Sequence, residues 1–369
     1  MKPDRKSTEG ARVREVPSLP PVRDGRYVLL GADLAELGAL VESAGMPAFR
    51  ARQLYHWMYH RAALSFDEMH NISRAFQQWL EDHCMLGYLD VADVRESTDG
   101  SRKIVFRLID GRFVESVLIR EEDWYTLCIS TQVGCAVGCA FCMTGFGGFQ
   151  RNMTRAEILA QVLLVKRTIL GELPRNVVLM GMGEPLLNLE EVIPALRVLV
   201  DPEGMAIATR RVTVSTSGII PDIRKLGEAD LGVSLAVSLN ATTNGVRDVL
   251  MPINKTYPIE ELIEACRQFP LPPRRRITFE YVLLRDINDS MEDAQRLARL
   301  LKGIPCKINL IPFNPDPHLP FERPAEERIQ AFQEYLFRKH YSAFIRYSKG
   351  LDVGAACGQL AAHWRTEAQ

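Results

Sequence analysis

The chain has 369 residues, 45 Lys or Arg against 46 Asp or Glu, and a formal net charge of −1. That length favours more than one domain, and 47% hydrophobic with 25% charged residues is a globular balance that argues against a mainly disordered chain. So small a net charge excludes nucleic-acid binding by bulk charge and leaves a local basic groove as the electrostatic route.

No run of about 18 apolar residues is present, so no membrane span is expected. The N-terminus, MKPDRKSTEGARVREVP, lacks the apolar stretch of a secretory signal. The expected compartment is a reducing cytoplasm. There the eight cysteines read as metal or catalytic ligands rather than as a disulfide framework.

In chain order, residues 1–26 carry Pro17, Pro20 and Pro21 and seven Lys or Arg against four Asp or Glu, which predicts a mobile, mildly basic tail. Residues 27–90 predict a small helical accessory domain. Leu34, Leu37 and Val41 keep one face, Leu54, Trp57 and Met58 another, and Ser73 opens a segment ending near His83. Residues 91–122 change period. Ile104, Phe106 and Leu108 alternate, Asp110-Gly111 marks a tight turn, and Phe113, Val117 and Ile119 alternate again, predicting a bridging β-hairpin.

Residues 123–369 alternate strand and helix. Strands are predicted over Leu127–Thr131, Val177–Met180, Val212–Ser215, Leu235–Leu239, Ile277–Leu283 and Lys307–Ile311. Helices are predicted over Thr154–Leu170, Leu189–Val200, Pro221–Glu228, Ile259–Arg267, Met291–Leu301 and Ala325–Arg338. Six β/α units in series predict an α/β fold with parallel strands. A full eight-unit barrel takes about 250 residues, so six units predict a partial (β/α)6 barrel.

Polar and glycine-rich signals recur just after these strands: Cys135 after the first, Gly183-Glu184-Pro185 after the second, and Ser215-Thr216-Ser217-Gly218 after the third. Ser238, Leu239 and Asn240 end the fourth, and Asn314 follows the sixth. A parallel barrel gathers such loops at the C-terminal mouth of its strands.

The strongest signal is Cys135-Ala-Val-Gly-Cys139-Ala-Phe-Cys142, three thiols within one short loop. Such a density of thiolates suits iron–sulfur or zinc. Three thiolates on a [4Fe–4S] cluster leave one iron open for chemistry; the alternative is a structural zinc with a distant fourth ligand such as Cys128. By residue type alone, Cys357 reads as a small buried residue as readily as a nucleophile, and Cys128 as a strand-core cysteine. Gly183-Glu184-Pro185 could be an ordinary turn and Ser215 a helix cap. Glu115 sits among Phe113, Val114, Val117 and Leu118. A carboxylate there is an anomaly that points to chemistry, unless the strand is an edge and it faces water.

Cys84, Cys266 and Cys306 fit no motif and read as packing residues. His56 and His60 share a helix face, yet a third ligand is missing nearby.

The CxxxCxxC run resembles the radical S-adenosylmethionine (SAM) signature, and Gly183-Glu184-Pro185 resembles that superfamily's loop for the SAM amino group. Gln132–Cys142, Gly181-Met-Gly-Glu-Pro-Leu-Leu-Asn188 and Ala355-Ala-Cys-Gly-Gln-Leu360 resemble the RlmN family, dual-specificity RNA adenine C2-methyltransferases. The likeness runs from about Phe49 to Leu360. The related Cfr family methylates adenine C8, and Pro185-Leu-Leu-Asn188 favours RlmN.

The resemblance implies a [4Fe–4S] cluster on Cys135, Cys139 and Cys142 and two SAM molecules per turnover. It implies Cys357 as the methyl-carrying cysteine, Cys128 as the thiol that releases the product through a transient disulfide with Cys357, and Glu115 as the base for the C2 proton. It implies SAM contacts from Gly183, Glu184, Ser215, Ser238, Leu239, Asn240 and Asn314. Asn240 departs from the histidine often found after Ser-Leu, keeping a donor and an acceptor but no cationic form.

The implied partners are 23S rRNA at the peptidyl-transferase centre, tRNA anticodon loops, and an electron donor such as a flavodoxin or ferredoxin; the protein is expected to be a monomer. A target adenine must leave its stack to be reached. Arg50, Arg52, Arg61, Arg151, Arg210, Arg211 and Arg274–Arg276 are candidate backbone contacts, or else solvated surface charges. Rival readings are a Cfr-type C8 enzyme, a non-catalytic iron–sulfur RNA-binding protein and a zinc-stabilised module.

Overall fold

A computed structural model describes residues 25–360. The predicted basic tail lies outside the described residues, apart from its last two positions. The chain forms two compact units that divide between Gly87 and Tyr88.

The first unit holds β1 (Tyr27–Val28), α1 (Leu34–Ser43), α2 (Phe49–Tyr55), α3 (Arg74–His83) and β2 (Cys84–Met85). Asp33 and Glu36 form a reciprocal capping box that starts α1. A π-helical turn, His56–His60, continues α2 and carries Met58 and Tyr59 into the core with Leu37, Leu40, Val41, Leu54, Phe76 and Leu80. The buried Tyr59 hydroxyl accepts from Gly31 N at 2.8 Å and donates to Ala32 O at 2.9 Å, satisfying both backbone groups. His56 and His60 stack on each other with ring centroids 4.7 Å apart. The short parallel β1–β2 pair was not legible in the helical pattern, because two residues per strand carry no periodicity.

The second unit contains, in chain order, β3 (Asp90–Glu96), β4 (Arg102–Arg107), β5 (Phe113–Arg120), β6 (Tyr125–Cys128), β7 (Gln132–Gly134), α4 (Met143–Phe146), β8 (Phe149–Asn152) and α5 (Arg155–Leu164). It continues with β9 (Asn176–Leu179), α6 (Leu189–Val200), β10 (Val212–Thr216), α7 (Ile220–Glu228), β11 (Ser234–Ser238), α8 (Asn244–Leu250) and α9 (Ile259–Gln268). It closes with β12 (Ile277–Leu283), α10 (Met291–Leu300), β13 (Cys306–Pro312), α11 (Glu326–Arg338) and β14 (Ser342–Ile345).

One ten-stranded open sheet runs β14-β13-β12-β11-β10-β9-β6-β5-β4-β3. Strands β6 and β9 to β14 are mutually parallel, each pair joined through a covering helix or loop. This is the α/β partial barrel expected from six units, extended by the seventh parallel strand β14. The predicted hairpin is present as β4–β5, and it does more than bridge: β5 pairs antiparallel with β6 and β3 pairs with β4, so three antiparallel strands prolong the parallel sheet. Strand β3, with Asp90, Asp93, Arg95 and Glu96 on an exposed edge, was hidden by its charge.

Capping boxes at Thr154/Glu157 and Ser290/Asp293 start α5 and α10. The parallel strands read as near-continuous apolar runs because both faces are covered: Val177, Leu179, Val212, Val214, Leu235, Val237, Phe279 and Ile308 are all buried. Cys84, Cys266 and Cys306 are buried packing residues, and burial pushes their thiols up to about 12, 12 and 11. Among the described residues no helix is long and apolar enough to cross a membrane.

Candidate active site

The three-thiol loop leaves β7 at Gly134. A Cβ there would stand 1.8 Å from the Gly148 carbonyl oxygen, and φ is +77°, so only glycine permits the closure in which Cys135 N donates to Gly148 O at 3.1 Å. Farther along, Ala140 N donates to Leu250 O at 2.9 Å. Cys139 and Phe141 pack on a buried cluster of Leu250, Met251, Leu284 and Phe313. Cys135, Cys139 and Cys142 are each half-buried.

Desolvation raises the Cys139 thiol well above its usual value, and the neighbouring Cys142 and Cys135 add to the shift. Desolvation likewise brings Cys135 up to about 11. Three thiols carried by one short loop are the donor set that a shared thiolate-bound group needs. Among the described residues no three or more His, Cys, Asp or Glu side chains converge closely enough to hold a single metal ion. The donor set, all sulfur, fits an iron–sulfur cluster, which bridges several irons.

The loop after β9 lies beside this one. Gly183 has φ +97°, and a Cβ there would meet Gln132 Cβ at 2.4 Å. That close approach lets Glu184 N donate to Gln132 Oε1 at 2.8 Å. The Glu184 carboxylate is buried and accepts from Ser217 N at 2.7 Å and Leu186 N at 3.1 Å. Burial raises its pKa against these hydrogen bonds. Asn188 donates to Thr131 O and Met153 O, both at 2.8 Å, and pins the far end of the same loop.

Ser215 Oγ donates to Leu179 O at 2.8 Å, joining β10 to β9. Ser238 ends β11, and Leu239 is fully buried, its N–H donating to Glu280 O. Asn240 adopts φ +55°, a left-handed position that asparagine tolerates better than most residues. Its Oδ1 accepts from Val282 N at 2.8 Å and its amide nitrogen lies 3.3 Å from Met251 Sδ. The left-handed backbone and the contact with Val282 N both suit asparagine at this position.

The Cys357 loop joins the same region. Met143 N donates to Gly358 O at 2.7 Å and Thr144 Oγ1 to Leu360 O at 3.2 Å. Asn314 Nδ2 donates to Ser348 Oγ at 2.7 Å and reaches Cys357 O at 3.5 Å. Cys357 is exposed as a residue, yet desolvation around its thiol, followed by Cys142 and Glu280, pushes it up to about 12. Cys128 is buried at the end of β6, between Val117 of β5 and Val178 of β9. Burial, then the proximity of Cys357, raises it to about 12.

Glu115 lies on β5 and is buried, facing away from water. Its backbone is fixed twice: Ser130 Oγ donates to Glu115 O at 2.6 Å, and Glu115 N donates to Met182 Sδ at 3.4 Å. Buried Gln161 completes the clamp, accepting from Ser116 Oγ and Ser130 N and donating to Ser130 O. Lys103 Nζ stands 3.2 Å from Glu115 Oε1.

Three site-lining groups escaped the sequence reading. Arg247, 0% exposed, donates to Ser217 O, Leu239 O, Ser238 O and Asn254 Oδ1, tying together the loops after β10 and β11. Burial lowers its pKa to about 10. Glu280 pairs in register with Ser238 and Asn309 and accepts from Asn309 Nδ2 at 2.9 Å. Lys103 is the third, and the hairpin register signalled it: once Asp110-Gly111 is the turn, the residues diagonal to Glu115 are Lys103 and Arg107. Of the candidate RNA contacts, Arg151 makes two bonds of 2.8 Å to Glu157 and one of 2.7 Å to Asp110.

The radical SAM superfamily profile matches residues 129–301, and the profile described as the ribosomal RNA large subunit methyltransferase N-terminal domain matches residues 27–86. The dual-specificity RNA methyltransferase RlmN of Geotalea uraniireducens is 52% identical over 327 residues, covering 89% of this chain and 94% of that one. The RlmN of Anaeromyxobacter sp. (strain Fw109-5) is 50% identical over 353 residues, covering 94% and 93%. The chain belongs to the RlmN family of the radical SAM superfamily. The crystal structure of a radical SAM methyltransferase from Sphaerobacter thermophilus superposes with a TM-score of 0.87 at 44% identity, over 91% of this chain and 99% of that chain. The family's cofactors are a [4Fe–4S] cluster and SAM. The one-loop thiol set and the glycine-cradled Glu184 loop beside it suit that pair.

Proposed function

We propose that the chain methylates C2 of adenine in 23S rRNA and in tRNA anticodon loops, with Cys357 as the carrier of the methyl carbon. The observation that carries this reading is the Met143–Gly358 hydrogen bond, which sets the Cys357 loop directly against the loop of Cys135, Cys139 and Cys142.

Adenine C2 has no lone pair with which to attack a sulfonium methyl group, so the carbon must arrive by a radical route. Bound cluster and SAM supply the methyl group and the radical that activates it. In this reading Cys135, Cys139 and Cys142 hold the cluster. Gly183, Glu184, Ser215, Ser238, Leu239, Asn240 and Asn314 surround SAM, with the Glu184 carboxylate accepting from its ammonium group.

Cys357 takes the methyl group on its sulfur and later bonds the resulting carbon to C2. Glu115 accepts the proton that C2 loses, and the single electron left by the radical addition would return to the bound cluster. The Cys128 thiolate then attacks Cys357 Sγ. An S–S bond forms, the carbon–sulfur bond breaks, and its electron pair stays on the carbon, which is protonated to the product methyl group. That step needs Cys128 near Cys357, and the effect of Cys357 on the Cys128 thiol supports the approach.

The unit of residues 25–87 is assigned to RNA binding. The protein works as a monomer in the cytoplasm, with an electron donor such as a flavodoxin or ferredoxin.

Mass spectrometry of RNA treated with reconstituted protein, SAM and a reductant tests the reading. It predicts 2-methyladenosine. The 8-methyl isomer would transfer the chain to Cfr-type chemistry, and neither product, with SAM cleavage verified, would refute the substrate assignment.

A further inference from the structure

Lys103 occupies a place that packing alone does not explain. It lies on β4, diagonal to Glu115 on β5, because Val105 pairs with Glu115 and Lys103 with Val117. Both side chains are 1% exposed, and Nζ stands 3.2 Å from Glu115 Oε1. The same ammonium donates to Gly354 O at 3.4 Å, three residues before Cys357. One buried cation therefore touches the carboxylate assigned to the C2 proton and the loop that carries the methyl-bearing thiol.

Burying opposite charges together costs desolvation that their attraction repays only partly, so an apolar pair of similar volume would hold β4 to β5 as well or better. Upstream of Cys357, further contacts of the same segment run to the turn that leads into β4. Ser97 Oγ and Thr98 N donate to Asp352, at 2.5 and 3.0 Å, and Gly350 N donates to Asp99 Oδ2 at 2.7 Å. These bonds moor residues 350–352 to the β3–β4 turn, and Lys103 continues the mooring to Gly354, while Asn314 and Met143 hold Cys357 O and Gly358 O.

We propose that Lys103 is a positioning residue, holding the Glu115 carboxylate at a fixed distance from the Cys357 loop. It rests on the assignment of Glu115 as the base. Its action is confined to the stage after the carbon reaches C2. Methylation of Cys357 and formation of the RNA adduct precede proton removal and do not require the carboxylate.

The test compares Lys103→Met, Lys103→Arg and Glu115→Gln holoenzymes. Three quantities are read: S-methylation of Cys357 by peptide mass, covalent protein–RNA adduct on a denaturing gel, and 2-methyladenosine. Lys103→Met should methylate Cys357 as the wild type does, accumulate adduct as Glu115→Gln does, and release product roughly 10- to 100-fold more slowly. Lys103→Arg, which keeps the charge, should recover part of the release rate.

A purely structural lysine would lower methylation, adduct formation and thermal stability together, with no adduct accumulating, and that result overturns the proposal. Wild-type release from Lys103→Met, while Glu115→Gln accumulates adduct, overturns the role of Lys103 alone. Normal turnover by Glu115→Gln removes the base assignment and this proposal with it. If Lys103→Met does not fold, Lys103→Gln is read by the same criteria: it keeps a donor for Gly354 and removes the charge facing Glu115.

Discussion

The residue after the third thiol, Met143, donates its N–H at 2.7 Å to the carbonyl of the residue after Cys357, Gly358. Thr144 repeats the contact one step on, to Leu360 O. Two segments more than 200 positions apart in sequence are thereby hydrogen-bonded where carbon transfer is proposed. Their order should depend on each other. Removing iron with a chelator should raise amide exchange in residues 355–360 by roughly tenfold, the signature of about 1.4 kcal/mol less local protection. Unchanged exchange there, with iron removal verified, would show that the two loops are ordered independently.

The two thiol assignments predict opposite phenotypes. Cys357→Ala should bind iron normally and form no 2-methyladenosine, because the methyl carrier is gone while the three-thiol loop is intact. Cys128→Ala should transfer the carbon and then stall, leaving protein covalently attached to RNA. Mass spectrometry of nuclease-treated protein detects that adduct as a nucleotide-bearing Cys357 peptide. Turnover by Cys357→Ala, or an adduct-free Cys128→Ala, would remove the respective role.

Gly134 sets the start of the three-thiol loop. In Gly134→Ala the new Cβ would sit 1.8 Å from Gly148 O in a left-handed backbone, so the β7–β8 pairing has to open. The expected result is iron content after reconstitution below about half that of the wild type. The far-UV spectrum should be retained, since the ten-stranded sheet does not pass through this turn. Stoichiometric iron in this variant would show that the loop tolerates a different path.

Local patterns made much of this architecture legible. The apolar runs at Val177, Val212, Leu235, Ile277 and Lys307 each became a parallel strand because strands covered on both faces need continuous hydrophobicity. The cysteine loop and the Gly183-Glu184 turn were legible because glycine and thiol chemistry is written in adjacent residues. What escaped was long-range or non-apolar. Strand β3 is charged and at an edge, and β14 is four residues with one buried side chain.

Lys103, Arg247 and Gln161 gain meaning only from partners on other elements: Glu115, the Ser217 and Leu239 carbonyls, and Ser116 with Ser130. Arg151, which its charge alone offered as a candidate RNA contact, is also bound to Asp110 and Glu157.

That pairing yields a prediction about acid stability. Asp110, in the hairpin turn, is paired with Arg151 of β8 and Arg112. Partial burial opposes its ionisation, but hydrogen bonds from Arg151 and Arg112 outweigh burial and bring its carboxyl down to about 2 from the ordinary 3.8. A carboxyl depressed in the folded state stabilises the protein above its unfolded pKa, and that contribution is lost as pH falls through the folded value. Asp110→Asn should therefore be less stable than the wild type by a constant amount above about pH 4. The gap should shrink between 3.8 and about 2, where the wild-type carboxyl takes up its proton. Urea denaturation of both proteins across that range measures it. A gap that stays constant down to pH 2 would show that Asp110 contributes by shape and hydrogen bonding alone, not by its charge.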